Sequence, residues 1–142
     1  MMGNLGRAIE IAATAHAGQE DKSGRPYILH PLYVMNKVKH LGDNFMIAAI
    51  LHDVVEDTDW TIGMIKGEGF HEDCIFALML LTHNDGSDYD TYIRHLSSNT
   101  IARAVKLADL EHNLKPTRLK GLRKKDHERI EKYHRAFTYL RD

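Results

Sequence analysis

Apolar residues recur at helical spacing along nearly the whole chain, and the strict alternation that marks a half-buried strand is nearly absent. That pattern confines the chain to an all-α fold. Residues 5–17 read as a first helix, with Ile9, Ala12, Ala13 and His16 on one face. Gly18, Gly24 and Pro26 mark a loop, and Pro31 suits the first turn of a second helix that Gly42 stops near Leu41. Asn44 is placed to cap a third helix running to about Val55, and Thr61 to cap a short one that Gly67 and Gly69 break. Residues 71–82 form another, with Ile75, Leu78, Met79 and Thr82 at core spacing. A polar tract over 83–88 is a loop. Residues 89–96, 99–114 and 124–140 are further helices, the second of them stopped before Pro116. The expectation is a single-domain helical bundle of about seven or eight helices over residues 1–142. A domain of that length buries ~70% of the surface its unfolded chain exposes, enough for a real core.

Two of these helices put polar groups where the pattern asks for apolar ones. Phe45, Ala48, Ala49 and His52 follow the i, i+3, i+4, i+7 spacing of an inward face, so His52 points inward with Asp53 at its rim. Glu56 follows His52, and Asp57 follows Asp53, one turn on. On a later helix Ile101, Ala104, Val105 and Ala108 face inward, and Asp109 borders them. His30, beside Pro31, is a third histidine to consider. A buried carboxylate beside an imidazole is costly unless something pairs with it. Hydrogen-bonded core histidines and capping acids are one reading, and His16 is left in that class. The other is a divalent metal site. Two imidazoles and two carboxylates suit a six-coordinate ion with open water positions, such as Mn²⁺ or Fe²⁺, whereas a structural zinc would want cysteines.

Composition narrows the function classes. The formal net charge of −1 gives no overall basic field for nucleic acid or an anionic membrane. Lys115, Arg118, Lys120, Arg123, Lys124 and Lys125 form a local basic run, but no interleaved aromatics accompany it as a stacking platform would need. Nucleic acid is therefore an unlikely partner, and the run reads as a solvated segment or a cationic rim. Cys74 stands alone, which excludes an intrachain disulfide and fits a reducing compartment. No secretory signal is visible, and the apolar stretch 74–81 is too short to span a bilayer. A cytoplasmic protein with no membrane partner is expected.

The residues singled out above also resemble a known family. His30, His52-Asp53 and Asp109 are similar to the H…HD…D signature of the HD superfamily of metal-dependent phosphohydrolases. The segments AHAGQ (15–19), KSGRPYILHP (22–31), AAILHDVVEDT (48–58) and VKLAD (105–109) with HNL (112–114) resemble, in that order, the hydrolase domain of RelA/SpoT-type alarmone enzymes and the stand-alone small alarmone hydrolases. The resemblance implies an HD-domain fold in which His30, His52, Asp53 and Asp109 hold one Mn²⁺ and Glu56 and Asp57 are catalytic. It further implies that Lys22, Ser23, Asn113 and Lys115 bind substrate. The implied reaction removes pyrophosphate from the 3′ position of ppGpp or pppGpp. Asp21 departs from the pattern, because relatives carry there a basic residue that packs on guanine, and an acid cannot make that contact. An HD phosphohydrolase of another nucleotide or phosphate ester is the alternative. A non-catalytic metal- or nucleotide-binding regulatory domain is the third reading.

Overall fold

The computed structural model describes residues 3–83, 86–115 and 123–142. Its elements are α1 (Leu5–Ala15), α2 (Leu29–Lys37), a 3₁₀ turn (Lys39–Leu41), α3 (Asp43–Leu51), α4 (Val54–Asp57), α5 (Ile62–Gly67), α6 (Glu72–Leu81), α7 (Tyr89–Ser97), α8 (Thr100–Asn113) and α9 (Lys124–Arg141). Among the described residues there is no strand, only an isolated bridge between Glu20 and Pro26. The fold is all-α, as the periodicity predicts.

The bundle is organised around α3. Its residues Ile47, Ala48, Ala49, Ile50 and Leu51 are all buried, so the helix is apolar on every side and sits at the centre. Ala48 and Ala49 pack with Val34, Leu81, Leu96, Val105 and Leu140 on one flank. Ile47, Ile50 and Leu51 pack with Ile11, Val54, Ile65 and Leu78 on the other. Two apolar clusters thus share one helix, and α2, α6 and α8 all pack against it.

The caps explain most boundaries. Asn4, Thr61, His71, Asp88 and Asn99 each accept a backbone N–H with the side chain, opening α1, α5, α6, α7 and α8. Gly42 has φ 112°, a conformation that favours glycine, and it turns the chain from the 3₁₀ segment into α3.

Several expectations are corrected. Asn44 does not cap α3, which begins at Asp43 without a side-chain cap; its carbonyls instead face the Cys74 thiol, at 3.4 and 3.6 Å. The α2 helix starts at Leu29, so Pro31 lies at its third position, still within the turn whose N–H groups have no helical partner. Ala13 is exposed, the buried face of α1 being Ala8, Ile11 and Ala12, and Met79 is 55% exposed, its place on α6 taken by Cys74, Ala77 and Leu81. The largest departure is in the predicted helix over 44–55, which is two helices separated at His52-Asp53. The loop expected over 83–88 and the stop before Pro116 fall partly on 84–85 and 116–122, outside the described residues, as do Arg118 and Lys120.

Candidate metal centre and active site

Three places in the fold deliver four side chains to one point. His30 comes from the first turn of α2, His52 and Asp53 from the break between α3 and α4, and Asp109 from α8. One donor atom from each lies within 4.8 Å of every other. His30 Nε2 is 2.7 Å from Asp109 Oδ1 and 3.7 Å from Asp53 Oδ2. His52 Nε2 is 3.1 Å from Asp53 Oδ2 and 3.3 Å from Asp109 Oδ1. His30, His52 and Asp109 are buried and Asp53 nearly so.

The break that builds this cluster also orients it. Where α3 ends, the Ala49 carbonyl is one of the acceptors a helix terminus leaves over. It accepts from His52 Nδ1 at 2.5 Å, which turns Nε2 to the carboxylates. Asp53 is held from the other side by the Tyr27 hydroxyl, which donates to Oδ2 at 2.6 Å. Burial and the Asp53 charge keep that phenol protonated far above the ordinary tyrosine range. Asp109 is engaged at both oxygens: Lys106 Nζ donates to Oδ2 at 2.9 Å, and Asn113 Nδ2 to Oδ1 at 3.2 Å.

The electrostatics of the cluster favour a cation. Burial opposes ionisation of Asp109, yet the Lys106 ammonium and the two imidazoles hold its carboxyl well below the usual range. Asp53 is lowered as well, against burial, by His52 and His30. The same two carboxylates overcome burial to raise His52 well above an ordinary histidine. Two imidazoles whose Nε2 atoms face the cluster, two ionised carboxylates, and hydrogen bonds that hold His52, Asp53 and Asp109 from outside form a donor set that fits a divalent ion once it displaces the imidazole protons.

A cavity of about 380 Å³ opens over the cluster, lined by Glu20, Asp21, Lys22, Tyr27, His30, Asp53, Glu56, Asp57, Lys106, Asp109, Asn113, Arg129 and Tyr133. Of the residues expected to act on substrate, Glu56, Asp57, Lys22 and Asn113 therefore share one space with His30, Asp53 and Asp109. Ser23 and Lys115 are not among the lining residues. Ser23 gives its backbone N–H to Asp21 Oδ1 at 2.8 Å, and the Lys115 ammonium lies over the Tyr33 ring at 4.6 Å. A larger depression of about 670 Å³, between the starts of α3 and α8, contains no histidine and lies apart from these side chains.

Glu56 accepts the backbone N–H of His83, while burial and the Asp53 charge raise its pKa above the ordinary glutamate value. Asp57 is raised for the same two reasons. Asp21, the odd acid of the loop, is used by the loop itself: its Oδ1 accepts from the N–H groups of Ser23 and Arg25, at 2.8 and 3.0 Å. Sequence reasoning quoted Tyr27 and Lys106 within the family-like segments but gave them no role, and it did not single out Arg129 or Tyr133. A lysine three residues before an acid on one helix reads as a solvated pair, but the Lys106 side chain is only 13% exposed, with its ammonium against the Tyr89 and Tyr92 rings. Burial works against that charge, and Asp109 more than restores it. Arg129 and Tyr133 come from α9, and no spacing rule connects α9 to the cluster.

Comparison with known proteins agrees with this picture. Residues 8–74 match the HD domain family. In an alignment of 122 positions that covers 79% of its length, the chain is 34% identical to a probable GTP pyrophosphokinase of Mycobacterium leprae. In one of 121 positions that covers 77% of its length, it is 36% identical to a probable guanosine-3′,5′-bis(diphosphate) 3′-pyrophosphohydrolase of Synechocystis. The chain spans 16% of the length of each of these relatives. Among solved structures it is similar to a metazoan ortholog of SpoT described as hydrolysing ppGpp, with a TM-score of 0.75 at 22% identity, covering 96% of this chain and 84% of that one. The matched family segment holds His30, His52 and Asp53 and ends before Asp109, which the fold returns to them. Over residues 8–74 the chain carries the match to the HD domain family, and it resembles the RelA/SpoT-type enzymes.

Proposed function

We propose that residues 1–142 form one HD-type unit, a Mn²⁺-dependent phosphohydrolase that removes pyrophosphate from the 3′ position of guanosine 3′,5′-bis(diphosphate). The observation that carries this reading is the convergence of His30, His52, Asp53 and Asp109 at the floor of a cavity that Glu56, Asp57, Lys22, Lys106, Asn113 and Arg129 also line or border. His30, His52, Asp53 and Asp109 would hold a divalent cation, which when bound would supply a Lewis acid for a phosphoryl oxygen and lower the pKa of a water.

The chain's own groups account for the rest of the chemistry. Glu56, on the turn after His52-Asp53, is positioned to accept the water's proton, and its raised pKa brings it nearer the pH at which a general base is effective. The water oxygen bonds to the phosphorus nearer the ribose, the bond from that phosphorus to the 3′ oxygen breaks, and that oxygen takes up a proton. Asp57 lines the cavity one residue further, its carbonyl tied by Gln19 Nε2 at 3.0 Å, and serves to orient the water. Lys22, Lys106 and Arg129 offset the negative charge of a polyphosphate, and Asn113 has its amide at the edge of the floor. In this reading Lys115 and Ser23 serve at the rim.

A second reading, hydrolysis of another nucleotide or phosphate ester, is favoured by Asp21, whose side chain is spent on its own loop and supplies no cation for a base. A nucleotide substrate and a lone cysteine go with a cytosolic setting. The deciding experiment is product analysis of Mn²⁺-loaded protein with ppGpp, with H52A and D53A as blanks. GDP and pyrophosphate, absent in both blanks, are expected. Metal bound stoichiometrically without turnover of ppGpp would move the assignment to the second reading, and a screen of nucleotides and phosphate esters would follow.

A further inference from the structure

His112 is not among the residues that line the cavity, yet it contacts His30, one of the four clustered side chains. Its Nδ1 lies 2.7 Å from His30 Nδ1, with the two ring planes within 6° and the centroids 5.0 Å apart. Nitrogens that close with centroids that distant put the rings end to end, so the contact is an N–H···N hydrogen bond and not a stack. A face of the His112 ring rests on Tyr33, centroids 3.9 Å apart and planes at 13°. His30 and Tyr33 are three residues apart on α2, and Asp109 and His112 three apart on α8. Two successive turns of α8 therefore grip both nitrogens of the His30 ring, Asp109 at Nε2 and His112 at Nδ1.

We infer that His112 is a positioning residue that fixes His30 as a metal ligand, by accepting a hydrogen bond from His30 Nδ1–H so that Nε2 presents its lone pair to the ion. An imidazole that donates a proton through one nitrogen can ligate through the other, and a partner at the first sets both tautomer and ring direction. His52 obtains the same service from the Ala49 carbonyl; at His30 the partner in that place is His112. The inference rests on the metal reading of the same cluster.

The test is isothermal titration of Mn²⁺ into metal-free wild type, His112→Phe and His112→Asn. Phenylalanine keeps a ring on Tyr33 and removes the acceptor; asparagine places an amide oxygen near the lost nitrogen. Affinity about 10–100-fold weaker in H112F, and close to wild type in H112N, is expected. A purely packing role predicts the reverse order, and H112F binding as tightly as wild type overturns the inference. Should H112F fail to fold, wild-type protein decides by nitrogen NMR with labelled imidazoles and Cd²⁺ bound. A proton on His30 Nδ1 coupled to a His112 nitrogen supports the inference, and an uncoupled one overturns it. Wild type that binds neither Mn²⁺ nor Cd²⁺ overturns the inference together with the metal reading, whereas intact binding with no effect in H112F removes the inference alone.

Discussion

Glu56 shows at the scale of one residue how the same burial pulls activity and stability in opposite directions. Its carboxyl is pushed up, first by burial and then by the Asp53 charge, against the His83 N–H and the Lys106 ammonium, which favour the ionised form. A general base works deprotonated, so kcat should fall as pH drops through this raised value, above the range of an ordinary glutamate. For stability the sign is reversed. A group whose folded pKa is raised contributes stability that is complete below its unfolded pKa and is lost as pH rises through the folded one. A pH–rate profile should show the acid limb in wild type and not in E56Q, whose kcat at neutral pH should be about 10²–10⁴-fold lower. An unshifted acid limb in E56Q would assign it to another group. Lys106 makes a second case. Removing one partner of a buried ion pair costs about 3–5 kcal/mol, because the remaining charge is left uncompensated. Urea denaturation of K106M should show a loss of that order without metal, and a smaller loss with Mn²⁺ present, since a cation at the floor then shares Asp109.

Elements differ in how much of them a sequence can disclose. The α8 face was legible because Val105 and Ala108 obey the helical period, and Asp109 stands out against them. The end of α3 was not, because no glycine or proline marks it; the helix stops at His52-Asp53, where the Ala49 carbonyl accepts from both the backbone N–H and the imidazole of His52. The apolar residues of α3 hid its central position for a related reason. A helix buried on all sides has no preferred face, so reading one stripe through Ala48 and Ala49 missed the second cluster on Ile47, Ile50 and Leu51. The loop before α2 gave a different difficulty. Asp21 read as a misplaced charge, but its role is to accept two backbone N–H groups, which depends on a turn that no spacing reveals. Gly42, by contrast, is legible and testable. With φ at 112° and nothing within 4 Å of an added Cβ, G42A meets no steric neighbour and pays only for the backbone conformation. Chemical denaturation should find it about 1–3 kcal/mol less stable, with the metal centre and its affinity unchanged.

For the molecule as a whole, the four floor residues act as a clasp between segments far apart in the chain. His30, His52-Asp53 and Asp109 span α2, the α3–α4 break and α8, and α2, α3 and α8 pack against one another through the apolar cluster that holds Val34, Ala48, Ala49 and Val105. Without a cation, two ionised carboxylates sit side by side in a buried site, offset by Lys106 and by proton sharing with the histidines. An unfolded chain cannot bring these groups together, so whatever binds them stabilises only the folded state. At a metal concentration one hundred times the dissociation constant the gain is about 2.7 kcal/mol, and it grows with the logarithm of concentration. Thermal unfolding should therefore shift upward by several degrees with Mn²⁺, return on chelation, and fail to shift in D109A. The size of the shift is informative beyond binding. If the clasp draws α8 onto α2 and α3, protection of α8 amides from hydrogen exchange should rise with the melting temperature, while α5 and the first turns of α1, which lie away from the site, keep their exchange rates. A uniform rise across all helices would instead mean that the bundle opens as one cooperative unit, with the metal stabilising each part by the same amount.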